Sequence, residues 1–282
     1  SRISSSSPSS QTTGGYFTDH FIGGHLVEDL IKLLITTERN VGFNAIRVNT
    51  AAIFGNNGNL IGKKWVMALT GLFLISFLVV HAGLNACIWA NDGGLMFNKA
   101  GHFMGSNAVP RVLEIGLFLG IFLHIYQGYL LTLENRSKRS VGYAVSYSKG
   151  SKWYSRSMAI LGTLILLFLI AHIYHFWTPS RLGGIGNIKA LGTVDHNGVE
   201  LHNLYAEMDA VFTNPYIVIL YVLACGSLAY HLAHGFQSAF KTIGVHNKKY
   251  HAMLTSLGYG FAIFIPLLFA LMPISFYFDW IK

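Results

Sequence analysis

The chain has 282 residues, of which 52% are hydrophobic and only 11% charged, and its mean hydropathy is +0.45. That balance excludes an ordinary soluble domain and marks a membrane protein. The net charge is +8, and its basic residues are spread over several membrane-proximal loops, which argues against a nucleic-acid surface.

Two segments are expected: a polar extension over residues 1–59 and a membrane domain over residues 60–282. Residues 1–15 are rich in Ser, Thr and Gly and bury too little apolar surface to offset chain entropy, so disorder is expected there. Leu26 to Glu38 reads as a short amphipathic helix, with Leu26, Val27, Leu30, Leu33 and Leu34 on one face. No secretory signal is read, because the first long apolar run, Trp65 to Ala90, is long enough to span.

Five runs reach the length of about 18 residues needed to cross a bilayer: Trp65 to Ala90, Val112 to Leu133, Ser157 to Thr178, Tyr216 to Phe240 and Tyr250 to Phe278. The expected fold is all-α, with five transmembrane helices. Cytoplasmic loops carry the excess of Lys and Arg. Lys63 and Lys64 precede the first span, six basic residues between Arg136 and Arg156 fill the second loop, and Lys241, Lys248 and Lys249 fill the fourth. These ends, and the N-terminus with them, are expected on the cytoplasmic side.

Cys87 and Cys225 fall in different spans at different depths and read as small packing residues, not a disulfide.

Four histidines, His81, His124, His172 and His231, lie one in each of the first four spans. An ionisable side chain in hydrocarbon is expensive and is a functional candidate by default. His81 lies 17 residues beyond Lys64 and His172 lies 16 beyond Arg156, so these two share a depth. His124 lies 10 residues before Glu134 and His231 lies 10 before Lys241, so these share another. At about 1.5 Å of rise per residue the two levels are roughly 10 Å apart. Two facing pairs of imidazoles at two depths read as two bis-histidine haem sites. The absence of a C-x-x-C-H motif makes the haems b-type. His175 and His234 follow His172 and His231 by three residues, but match the depths of the opposite ligands less well; they read as hydrogen-bonded interior or interfacial histidines. Gly71, Gly83, Gly120, Gly128 and Gly235 lie near the ligand positions and would admit a porphyrin edge, although ordinary helix packing uses small residues in the same way.

The stretches LTGLFLISFLVVHAGLNA, HFMGSNAVPRVLEIGLFLGIFLHIYQGYLLTLENR, LGTLILLFLIAHIYHFW and YHLAHGFQSAFKTIG carry all four ligand contexts in order. Over about residues 60 to 280 the chain resembles the five-helix dihaem cytochrome b subunit of succinate dehydrogenase and fumarate reductase complexes. The resemblance implies that the first four helices form a haem-binding four-helix bundle. His81 and His172 would hold the membrane-distal haem, His124 and His231 the proximal one, and the fifth helix no ligand. It also implies a flavoprotein subunit that interconverts succinate and fumarate, an iron-sulfur subunit docked on the basic face, and relay of electrons to a membrane quinone, by family a menaquinone. The chain is then an electron-transfer subunit of an enzyme whose dicarboxylate chemistry lies on a partner.

A quinone site needs polar groups near a haem and near water. His102, Arg111 and Glu114, at the outer end of the second span, are the candidates, with an Arg111–Glu114 ion pair as the plainer reading. A site near Lys64 and Trp65 is the runner-up. Some relatives in that family place a glutamate two residues before the fourth ligand for transmembrane proton movement; Ala229 stands here, so that path is not expected. The expected location is a bacterial cytoplasmic membrane, with a mitochondrial inner membrane as the alternative. The competing function is a haem-free transporter, or a plain anchor, with a histidine proton relay.

Overall fold

The computed structural model describes residues 60–137, 157–245 and 248–281. All the described residues belong to one compact unit, Asn59–Lys282. The amphipathic segment Leu26 to Glu38, the Ser-rich start and the basic loop from Lys138 to Arg156 lie outside the described residues.

The described part is mostly helical. Helix α1 spans Leu60–Asn85 and runs into a 3-10 turn, Ala86–Ala90. Helix α2, Leu95–Ser106, is short; α3, Ala108–Ser137, is long. Next come α4, Met158–His172, a π turn at Ile173–Trp177 and α5, Thr178–Leu182, which continue one another. A hairpin of β1, Thr193–His196, and β2, Val199–His202, precedes α6, Leu204–Phe212. Helices α7, Pro215–Thr242, and α8, Lys248–Tyr277, complete the chain. Among the described residues, five helical stretches are long and apolar enough to cross a membrane: Gly62–Ala90, Ala108–Asn135, Met158–Leu182, Pro215–Thr242 and Tyr250–Tyr277. Each contains the apolar core of an expected span, with ends shifted by a few residues.

Helix α7 is the hub: it packs on α8, α1 and α4, while α1 also packs along α3. Where the start of α1 meets the end of α3, Lys63 and Glu134 form an ion pair, so these two helix ends lie at one level. The apolar outer faces remain exposed, as lipid-facing helices require: Val112, Ile115, Leu119 and Phe122 on α3 are each more than half exposed.

The opposite end of the bundle is capped. Helices α2 and α6 gather there with the ends of the long helices around Ile88, Phe97, Met208, Phe212, Met272 and Phe276, and β2 of the hairpin packs on α2. Polar groups inside this cap are satisfied, as burial demands. Asn98, 4% exposed, donates from Nδ2 to Asn203 Oδ1 at 3.0 Å and accepts from the Tyr205 backbone N–H at 3.0 Å. Asn203 Oδ1 also caps α6 by accepting from the Ala206 N–H at 3.1 Å. The hairpin turns on Asn197 and Gly198, both at positive φ, as a two-residue turn of the primed kind requires. Pro266 and Pro273 sit inside α8, where each removes one helix hydrogen bond. Ser275, nearly fully buried beside Pro273, accepts from Trp89 Nε1 at 3.0 Å and ties α8 to the turn after α1.

Candidate functional site

The four spans bring their histidines together in two cross-helix pairs. The rings of His81 on α1 and His172 at the end of α4 have centroids 5.8 Å apart and stand nearly perpendicular, at 88°. The rings of His124 on α3 and His231 on α7 have centroids 6.2 Å apart at 64°. These are the partners that the depth count matches. His81 and His172 sit nearest the capped end, each within a few residues of its helix terminus there.

The surroundings of the two pairs differ. Around the first is an aromatic shell: Phe77 stacks on His81 at 5.2 Å, Phe269 from α8 lies 5.5 Å away, and Phe168 and Phe176 flank His172 at 5.5 and 5.4 Å. Asn85 Nδ2 donates to the His81 carbonyl at 2.8 Å, and its 3.4 Å approach to His81 Nδ1 is long for a hydrogen bond. Around the second pair lie a hydroxyl and two glycines. Thr70 Oγ1 is 3.1 Å from His124 Nδ1. A Cβ on Gly71 would touch His124 Cε1 at 3.5 Å, and one on Gly162 would touch His231 Cε1 at 3.8 Å. Both rings therefore lie against helix backbone.

Among the other glycines expected near the ligands, Gly120 and Gly128 face Phe73 and Met67 across the α1–α3 contact, which is the helix-packing use of a small residue. Gly83 and Gly235 border open space. Gly162, absent from the expected set, is the glycine that meets His231.

Whether the pairs suit a haem iron can be tested on their spacing. With a metal–imidazole bond of about 2 Å on each side, ring centroids stand about 6 Å apart, which both pairs match. His172 Nδ1 and His231 Nδ1 are buried and have no hydrogen-bond partner among the described residues. Among the described residues no group of three or more His, Cys, Asp or Glu converges. Two imidazoles fill two of the six positions of an iron, and the macrocycle of a haem would supply the other four. The donor set fits a bis-histidine haem.

The neighbouring histidines behave otherwise. His175 Nδ1 is hydrogen-bonded to the Tyr221 hydroxyl at 2.9 Å, and the two rings stack at 6.0 Å. It is a satisfied interior histidine. His234 faces neither ring of the second pair in any ring contact among the described residues.

The polar cluster expected for a quinone is partly assembled. Arg111 donates to Glu114 Oε2 at 3.2 Å. Two further partners come from the third span: Trp177 Nε1 donates to Glu114 Oε1 at 2.6 Å and Arg181 Nε donates to the same oxygen at 3.3 Å. Trp177 closes the π turn. That turn carries an extra residue relative to an α-helical one and so rotates the rest of the helix by about 100°, a phase that periodicity alone would not assign to Trp177 and Arg181. The Arg181 guanidinium also lies against Gly105 of α2, where a Cβ would come within 2.9 Å. His102 is one turn earlier on α2; among the described residues no hydrogen bond or ion pair joins it to Arg111 or Glu114. At the far end, Trp65 is 41% exposed beside the Lys63–Glu134 pair.

Compared with known proteins, the chain matches no family model, no curated protein and no solved structure.

Proposed function

We propose that this chain is the membrane-anchor cytochrome b subunit of a succinate:quinone oxidoreductase, carrying two bis-histidine b haems. The observation that carries the reading is the pair of cross-helix imidazole contacts, 5.8 and 6.2 Å between centroids, drawn from four different helices.

A bound haem supplies reversible one-electron chemistry at iron. The chain's own residues do the rest. His81 with His172, and His124 with His231, provide the axial nitrogens and fix two sites at two depths. The phenylalanines around the first pair keep water away from it, while the close backbone at Gly71 and Gly162 seats the rings of the second. The exposed apolar helix faces meet lipid.

The basic end of the bundle, by the charge bias of its loops, faces the cytoplasm and receives the iron-sulfur subunit, with the flavoprotein subunit beyond it. The membrane is the bacterial cytoplasmic membrane. The quinone, a menaquinone in this reading, binds at the capped end, where Glu114, Arg111 and His102 are its polar groups. Both Glu114 oxygens already accept hydrogen bonds, Oε2 from Arg111 and Oε1 from Trp177 and Arg181, so a quinol proton delivered there competes with these contacts.

The test is reduction of the b absorbance by succinate in the purified complex. Reduction by succinate, reversed by an added quinone, is the expected result. A preparation in which dithionite reduces the haems while succinate never does would overturn the assignment to this complex.

A further inference from the structure

We propose that Thr70 is a positioning residue that holds His124 as an Nε2 ligand and sets the redox potential of the His124–His231 site apart from that of the other. The assignment rests on the haem reading. Its basis is the number of hydrogens on a hydroxyl. Thr70 Oγ1 lies 2.8 Å from the Val66 carbonyl and 3.2 Å from the Met67 carbonyl, acceptors that can only receive. A threonine hydroxyl has one hydrogen to give, and here it is committed to its own helix. The 3.1 Å contact with His124 Nδ1 therefore runs the other way: His124 Nδ1–H donates and Thr70 accepts. That fixes the tautomer. Nε2 keeps its lone pair and is free to bind a metal, on the ring whose neighbour is His231.

The contact reaches from α1 to α3, so it also orients the ring from outside its own helix. Gly71, the next residue, lets the ring lie against α1 at van der Waals distance. Among the described residues none of the other three histidines has such a partner. His172 and His231 have unpartnered Nδ1 atoms, and the amide nitrogen near His81 Nδ1 is a donor that cannot accept. An acceptor on Nδ1–H makes the imidazole a more basic ligand and favours the oxidised iron. The His124–His231 site is the one so tuned, and its potential is lowered by Thr70.

Thr70→Val keeps the shape and removes the acceptor; Thr70→Ser keeps the acceptor. Both are measured in the whole complex by potentiometric titration of the b absorbance and by low-temperature EPR of the ferric haems. Thr70→Val is expected to move one of the two midpoint potentials upward and to shift the low-field EPR feature of the same haem, with the other haem unchanged. Thr70→Ser is expected to match the wild type in both. Wild-type potentials and spectra in Thr70→Val would overturn the proposal, as would equal shifts in the two variants. If Thr70→Val loses one haem, retention of both at wild-type potentials in Thr70→Ser supports the role and loss in both variants refutes it. A wild-type complex without two haems would instead bring down the functional reading itself.

Discussion

At the scale of single residues, the two histidine pairs make separable predictions. Replacing His81 or His172 by Ala leaves one imidazole facing a small side chain, and a six-coordinate low-spin site cannot form there. Haem per chain should fall from two to one in either variant, with the same haem lost. His124→Ala and His231→Ala should each lose the other haem. Haem-to-protein ratios with EPR of the remaining ferric signal check this, and retention of two haems in all four variants would refute the pairing. Thr70 was hidden in the sequence for a physical reason. A threonine inside an apolar helix commonly bonds back to a carbonyl one turn earlier, and Thr70 does so. Only the cross-helix geometry reveals its second contact.

At the scale of elements, the long helices were legible because each carries an uninterrupted apolar run. The cap was not. Helix α2 and α6 have 12 and 9 residues and mix polar with apolar positions, so reading by long apolar runs passes over them. The Asn197–Gly198 dipeptide between two short strands is a hairpin signal that the same reading leaves unused. The π turn hid the partners of Glu114 in a similar way, since hydrophobic periodicity assumes 3.6 residues per turn.

The cap makes two predictions of its own. Gly94, at φ 84°, precedes α2, and a Cβ there would lie 2.1 Å from the Tyr205 ring. Gly94→Ala should therefore destabilise the protein by about 1–3 kcal/mol through both strain and overlap, read as a lower melting temperature in detergent. An unchanged melt would show that the cap does not hold this contact. The Tyr205 phenol is shifted above its ordinary 10.0, first by burial and then by the carboxylates of Asp209 and Asp92. Below pH 10 it is neutral in both folded and unfolded chains. As pH rises through 10 the unfolded chain releases its proton first, so this contribution to stability is lost between that pH and the raised folded value. Tyr205→Phe should show a smaller loss of stability than the wild type on moving from pH 9 to about 11; an equal loss would contradict the shift.

At the scale of the whole molecule, one arrangement serves several needs at once. Helix α7, which carries His231, touches α1, α4 and α8, so the helices of His81 and His172 both meet it, and α3 joins them through α1. The Lys63–Glu134 pair levels the ends of α1 and α3 at one side of the bundle, while the cap closes the other. Between these limits the histidines meet in two cross-helix pairs. That feature could be read by counting residues from charged boundaries, because helix rise is constant along a span. Which side chains surround each pair could not be read that way, since it depends on helix rotation and neighbours.

The central claim is that this chain holds two b haems, and a pyridine haemochrome assay with a reduced-minus-oxidised spectrum on the purified complex tests it most directly. Two haems b per chain is the predicted result. No haem would contradict it, and would leave a transporter or a plain anchor with buried histidines as the reading of these four helices.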